Sequence, residues 1–180
     1  MQVDFAGGGQ PGPLAAEWSA DGMAALFDKV CVATAGQASA VKDASLELEM
    51  IDKSYDMPVG KKQEPWPLTI ARGDGVVVSQ AARFLSNDRQ QCNATFYLSQ
   101  PVGMGEVESA LERAIGRPAD NGSDRTKKNG KPNRYFSPEW SVASQDGSGS
   151  TITVGPIASL GGSERTGYQF SLLANKEDRK

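Results

Sequence analysis

Two cysteines constrain this chain more than any other residues. Cys31 lies in ALFDKVCVATAG, where Met23, Leu26, Phe27, Val30 and Cys31 recur at helical spacing and mark one apolar stripe. Cys92 lies in QQCNATFYLS, where alternation sets Cys92, Ala94, Phe96 and Leu98 on one face and Asn93, Thr95 and Tyr97 on the other. Both thiols therefore face a core, one from a helix and one from the kind of sheet such a helix covers. Two arrangements satisfy the pattern: a disulfide, or two free thiols packed as small hydrophobes. The disulfide is the expectation, because the sequence has no further cysteine and no histidine with which the pair could share a metal. By closing a long loop it would restrict the unfolded chain by about 4 kcal/mol.

The rest of the chain arranges itself around these two segments. Asp21 can cap the first helix and Gly36 can end it. Val41, Ala44, Leu48 and Ile51 predict a second helix over about 38–51, although SLELEM also alternates like a strand. A Pro-rich connector, YDMPVGKKQEPWP, leads to strands at Leu68 to Arg72 and Val76 to Phe84, joined at Gly73-Asp74-Gly75. After the Cys92 strand, GMGEVESALERAIGRP is the clearest helix, with Val107, Ala110, Leu111, Ala114 and Ile115 on one stripe. A polar loop, ADNGSDRTKKNGKPN, precedes strands around Trp140 and Val142, Ile152 and Val154, and Tyr168, Phe170 and Leu172. This order predicts an α+β fold, an antiparallel sheet of about six strands with two or three helices on one face. Trp66 and Trp140 each precede a hairpin with an Asp-Gly turn, which hints at a duplicated unit of helix plus meander. The expected organisation is a flexible linker over 1–18, a single domain over 19–174 and a flexible tail over 175–180.

Composition narrows the function classes. A chain of 180 residues, 38% hydrophobic, is long enough for one core. Its net charge of −3 argues against a general nucleic-acid binder, which needs cations concentrated on one face. No segment approaches the roughly 18 consecutive apolar residues of a membrane span. The N-terminus has neither a basic n-region nor an apolar h-region. Without histidine the usual general base near neutral pH is missing, together with Ser-His-Asp and Cys-His mechanisms.

FDKVC in a first helix, an Ala-rich second helix, Trp66, CNATFYL and EVESALERAIG together resemble small uncharacterised exported proteins of alphaproteobacteria. The likeness covers roughly residues 20 to 160 and rests on loose motifs. It implies export and the disulfide, and it brings no activity or functional residues with it. The chain departs from that pattern in lacking a signal peptide.

Several motifs carry possible chemistry. Ser39 to Lys42, SAVK, fits a Ser-x-x-Lys pattern in which a lysine helps activate a hydroxyl. SND at 86–88 and RTG at 165–167 follow in an order similar to that of penicillin-recognising enzymes, but the expected third Asn and the Lys are absent. A solvated helix face explains Ser39 and Lys42 equally well. Arg72-Gly73-Asp74 resembles an integrin-binding tripeptide, while hairpin chemistry alone accounts for it. DNGSD at 120–124 lacks the ligand spacing of a calcium loop. NAT and NGS are glycosylation sequons by form only, and Gly7 to Gly9 do not sit where a phosphate-binding loop must.

Residues 125–134, RTKKNGKPNR, hold five cations and no anion. Arg125, Lys127, Lys128, Lys131 and Arg134 are thus candidate contacts for an anionic envelope component or an acidic protein. The resulting expectation is a non-enzymatic exported module, periplasmic or envelope-associated, that binds a partner without a cofactor, metal or nucleic acid. The alternatives are a small hydrolase using carboxylates or Ser39 and Lys42, and a structural or assembly protein.

Overall fold

The computed structural model describes residues 15–61, 63–81, 90–121, 127–128, 131–132, 137–143, 149–157 and 166–174. Residues 1–14 of the expected linker over 1–18, and the expected tail over 175–180, lie outside them, while residues 15–18 are described. The described chain enters along the domain: Ala16 bridges Leu98, with its N–H donating to the Tyr97 carbonyl at 2.9 Å, and the Trp18 ring meets Phe96 edge-on at 5.0 Å. Glycine is required where this segment crosses the hairpin at Gly75. A Cβ there would come within 2.6 Å of the Ala16 Cβ, and the backbone is left-handed with φ +63°.

Helix α1 (Ala20–Phe27) is capped by Ser19, whose hydroxyl accepts from the Gly22 N–H at 3.0 Å, rather than by Asp21. It then widens into a π turn over Asp28–Val32, in which Ala33 N–H donates to the Asp28 carbonyl and Gly36 N–H to the Cys31 carbonyl. Met23, Phe27, Val30 and Cys31 of the expected stripe are fully buried, and Leu26 packs at its border. Helix α2 (Ala38–Glu47) stops short of the expected end: Glu49 is left-handed at φ 58° and the chain turns into strand β1 (Ile51–Asp52). Neither reading of SLELEM runs through it: Ser45 to Glu47 stay helical, Leu48 and Glu49 form the turn, and pairing with β3 begins only at Ile51.

The main sheet is antiparallel and open. Its strands are β1, β2 (Tyr55–Met57), β3 (Trp66–Gly73), β4 (Val76–Ala81), β5 (Gln91–Tyr97), β8 (Glu139–Ala143), β9 (Gly149–Pro156) and β10 (Gly167–Ala174). They run in the order β1-β3-β4-β5-β10-β9-β8, with β2 also pairing β3. The two strands beyond the expected six are β1 and β2, which pair along β3 where the sequence suggested a helix end and a Pro-rich connector. A separate two-stranded hairpin, β6 (Lys127–Lys128) and β7 (Lys131–Pro132), precedes β8.

Register relates the two meanders, although it matches Trp140 with Gly73 and not with Trp66 as the sequence suggested. Meanders β3-β4-β5 and β8-β9-β10 meet at β5 and β10, so a two-fold axis normal to the sheet relates them, centred on the pair Ala94 and Phe170. Val76 pairs with Phe96 and Ile152 with Leu172, the same separation along the chain in both units. Helix α3 (Met104–Ile115), closed by left-handed Gly116, answers α1 and lies against it. Three rows of side chains form the covered face. One runs Val76, Phe96 and Tyr168; the next Val78, Ala94, Phe170 and Val154; the third Gln80, Cys92, Leu172, Ile152 and Trp140. Phe170 contacts both Phe27 and Phe96 at about ring-packing distance, 5.5 and 5.3 Å between centroids.

Candidate functional site

Cys31 and Cys92 are joined, with Cα atoms 5.6 Å apart across a sequence separation of 61, and both are fully buried. The bond ties the π turn to the middle of the sheet, and two surfaces flank it.

The first surface is the sheet face opposite the buried rows. Residues that pair across strands share a face. Ile51 opposite Arg72, Tyr55 opposite Leu68 and Met57 opposite Trp66 therefore belong to it, together with Ile70. Toward the centre it continues through Val77 and Ser79 on β4, Asn93 and Thr95 on β5, Gln169 and Ser171 on β10, and Thr151 and Thr153 on β9. The four central strands contain no Asp, Glu, Lys or Arg at any position, in a chain where 23% of residues are charged. A face that merely met water would carry such residues. Two polar atoms on it, Arg72 Nε and Asn93 Oδ1, are buried without a hydrogen-bond partner. Among the described residues the exposed large hydrophobics are Leu46 and Leu48, at the end of α2, and Ile51 and Tyr55, on the edge strands β1 and β2.

The second surface is a cleft of about 460 Å³ between the segment that leaves the π turn and the outer strands. Val32 to Ala35, Gln37 and Ala40 form one wall; Val142, Ala143, Ser150 and Leu172 form the other. No titratable side chain lines it among the described residues. Position 36 favours glycine because its backbone is left-handed at φ +69°; a Cβ there would make only ordinary contact with Leu172 Cδ2 at 3.5 Å and the Cys92 Cβ at 3.6 Å. Thr34 steadies the turn by donating its hydroxyl to the Val30 carbonyl at 2.6 Å, and Ala35 is held left-handed at φ 51°.

The other sequence candidates are placed as follows. Lys127, Lys128 and Lys131 belong to the β6-β7 hairpin, whereas Arg125 and Arg134 lie outside the described residues. Ser39 is exposed at the start of α2, and no hydrogen bond joins it to Lys42 among the described residues. Lys42 instead donates to Asp52 at 2.7 Å, which raises its pKa and keeps it a cation, contrary to what activation of a hydroxyl requires. Asp52 also accepts from the Ser54 N–H at 2.9 Å, and the lysine first and Ser54 second hold its carboxyl well below the usual range. SND at 86–88 and Arg165 fall outside the described residues.

In the integrin-like tripeptide, Arg72 lies along β3 and the Asp74 carbonyl accepts from the Trp18 indole, so the tip is braced by the chain's entry. Asp120 takes the Ser141 N–H at 2.6 Å and the Arg117 guanidinium, an arrangement that braces β8. No cluster of three or more metal-ligating acids or thiols occurs among the described residues. No helix among them is long and apolar enough to cross a membrane.

Sequence reasoning missed the edge strands and the cleft. The cleft's polar member, Ser150, was within reach, since Ser150, Ile152 and Val154 alternate onto the covered face. No family model, curated protein or solved structure matches the chain.

Proposed function

We propose that this protein is an exported, non-enzymatic binding module that holds a folded protein partner against the open face of its sheet, whose four central strands carry no charge. The observation that carries the reading is the absence of any charged residue from the four central strands, beside an edge rich in Tyr55, Met57, Trp66 and Ile70. Aromatics, Met and Arg enriched and Lys and Glu depleted is the composition of protein interfaces, and the four central strands offer an anionic partner such as nucleic acid no cation. Export is supported by the buried disulfide, which persists in oxidising compartments, and by the likeness to small exported proteins. Segment 125–134 is a separate candidate contact for an anionic envelope component.

Placing a charge on the face by Thr95→Lys or Ile70→Lys is expected to abolish co-purification of the partner from the host's envelope fraction, with the melting temperature changed by no more than about 2 °C. Undiminished recovery of the partner would count against the face. A second reading, assembly with further copies of this chain, is favoured by the exposed Leu46, Leu48, Ile51 and Tyr55. Sedimentation of the purified protein separates the two: a concentration-dependent dimer lost in Ile70→Lys supports assembly, a monomer supports a foreign partner.

A further inference from the structure

We infer that the β1–β2 edge of the sheet takes up an extended, amphipathic segment of a partner polypeptide as an added strand. The two edges of this sheet are finished in opposite ways. On β8 the outward backbone groups of Glu139 and Ser141 are all in use. Asn121 Oδ1 accepts the Glu139 N–H at 3.2 Å, and the Asp120 N–H donates to the Glu139 carbonyl at 2.8 Å. Asp120 Oδ2 accepts the Ser141 N–H at 2.6 Å, and the Arg117 guanidinium donates to the Ser141 carbonyl. No strand adds there without displacing the segment that follows α3. The opposite edge has no such cover. β1 and β2 follow one register along β3, from Ile51 opposite Arg72 to Met57 opposite Trp66. The Lys53 N–H points inward to the Ile70 carbonyl at 2.7 Å, so the backbone groups of Asp52, Ser54 and Asp56 point outward. Of these only the Ser54 N–H is taken, by the Asp52 carboxylate at 2.9 Å. The N–H groups of Asp52 and Asp56 and the carbonyls of all three make no hydrogen bond among the described residues. Ile51 and Tyr55 stand 62% and 48% exposed along the same edge. Such an edge is a template for a further strand, because each open group can join a new ladder.

The side chains define the occupant. Neighbours along a strand alternate between faces, so Ile51, Lys53, Tyr55 and Met57 lie on the open face and Asp52, Ser54 and Asp56 on the other. An added strand therefore meets two carboxylates on one side and a mainly apolar surface on the other. Asp52 is shared with Lys42, whereas Asp56 is exposed and has no cation partner among the described residues. Cations opposite Asp52 and Asp56, with apolar residues opposite Ile51 and Tyr55, complement this pattern through cross-strand pairs. A second copy of the same edge does not. The antiparallel register that overlaps all of residues 51–57 sets Asp52 of each strand against Asp56 of the other, and like charges directly opposite destabilise the pairing. The charges that keep identical edges apart are the ones that select a basic strand.

The test uses the full, disulfide-intact chain and the peptide acetyl-Val-Lys-Val-Thr-Val-Lys-Val-amide, whose lysines fall opposite Asp52 and Asp56, followed by amide NMR. Saturable shifts are expected at Asp52, Ser54 and Asp56, with slowed hydrogen exchange of the Asp52 and Asp56 N–H groups. Replacing both lysines of the peptide by glutamate, or methylating their backbone nitrogens, should each weaken binding at least ~10-fold. Asp56→Pro removes an outward donor that β3 does not use and should weaken the peptide at least ~10-fold. Asp56→Lys keeps the backbone and should cut the preference for the lysine peptide over the glutamate peptide at least ~3-fold. No saturable shift up to about 2 mM peptide, or equal binding of the methylated peptide, overturns the added strand, and equal binding of the glutamate peptide overturns its charge pattern. Thr95→Lys, at the centre of the open face, should leave the peptide's affinity unchanged; a loss there would place the peptide on that face and overturn the edge. The edge and the open face are thus separate contacts, and either can fail without the other.

Discussion

The two meanders are built alike and fastened differently. Under the two-fold axis between β5 and β10, Cys92 corresponds to Tyr168. In the first unit Cys92 fixes the sheet to the helical layer through a covalent bond to the π turn. In the second, Tyr168 donates its hydroxyl to the Val102 carbonyl at 2.6 Å, just before α3. The first unit also carries α2, β1 and β2, for which the second has no counterpart among the described residues. Both candidate surfaces arise where this symmetry breaks. The cleft forms where the first unit's α2 connection reaches over the second unit's β8 and β9, and the apolar edge forms where β1 and β2 extend β3. Two similarly paired meanders form the scaffold, and the unequal additions to them form both candidate surfaces.

The sharpest way to break the comparison is to remove one fastening at a time. Cys92→Ala should lower unfolding stability by roughly 2 to 5 kcal/mol, because it frees a long loop in the unfolded chain and leaves Cys31 unpaired in the core. Denaturant midpoints measured without reductant check this, and a loss below about 1 kcal/mol would mean the covalent tie contributes no more than its counterpart. Tyr168→Phe should cost about 1 kcal/mol, the value of one partly buried hydrogen bond whose acceptor can still reach water. If it costs as much as Cys92→Ala, the two units are fastened equally and the distinction fails.

The smallest effect is the pH dependence of the exposed braces, one in each unit. Asp52 is held low by Lys42 and then Ser54; Asp120 is held low first by the Ser141 N–H and then by Arg117. Both folded-state pKa values lie below the unfolded value near about 4, so each contribution is fully present above that pH and is lost as the pH falls through the folded value. Asp52→Asn and Asp120→Asn should each flatten the acid limb of stability below about pH 4 and leave the shape near neutrality unchanged. Urea midpoints across that range provide the measurement, and an unaltered acid limb in either variant removes that carboxylate from the account.

Much of this molecule was legible in one dimension. The stripe Met23, Phe27, Val30 and Cys31, the alternation around Cys92 and Val107, Ala110 and Leu111 of α3 are local patterns of period 3.6 or 2 that burial follows, whereas Ala114 of the expected α3 stripe is exposed. From those faces alone the helix-on-sheet build and the cysteine pairing could be expected. The remainder depended on partners distant in sequence. The helix expected to run to about 51 ends at Glu47, and Ile51–Asp52 and Tyr55–Met57 became strands because β3 offered them a partner. The π turn is a one-residue change in hydrogen bonding that leaves no periodic trace, yet it sets where Gly36 and α2 lie against Leu172. Ser150 and Gln37, which line one cleft, are more than a hundred residues apart in the chain. The sequence by itself determined which faces are buried, because side-chain periodicity is a local property. Only the tertiary structure decided which segments line one cleft, because that depends on how the two meanders are joined.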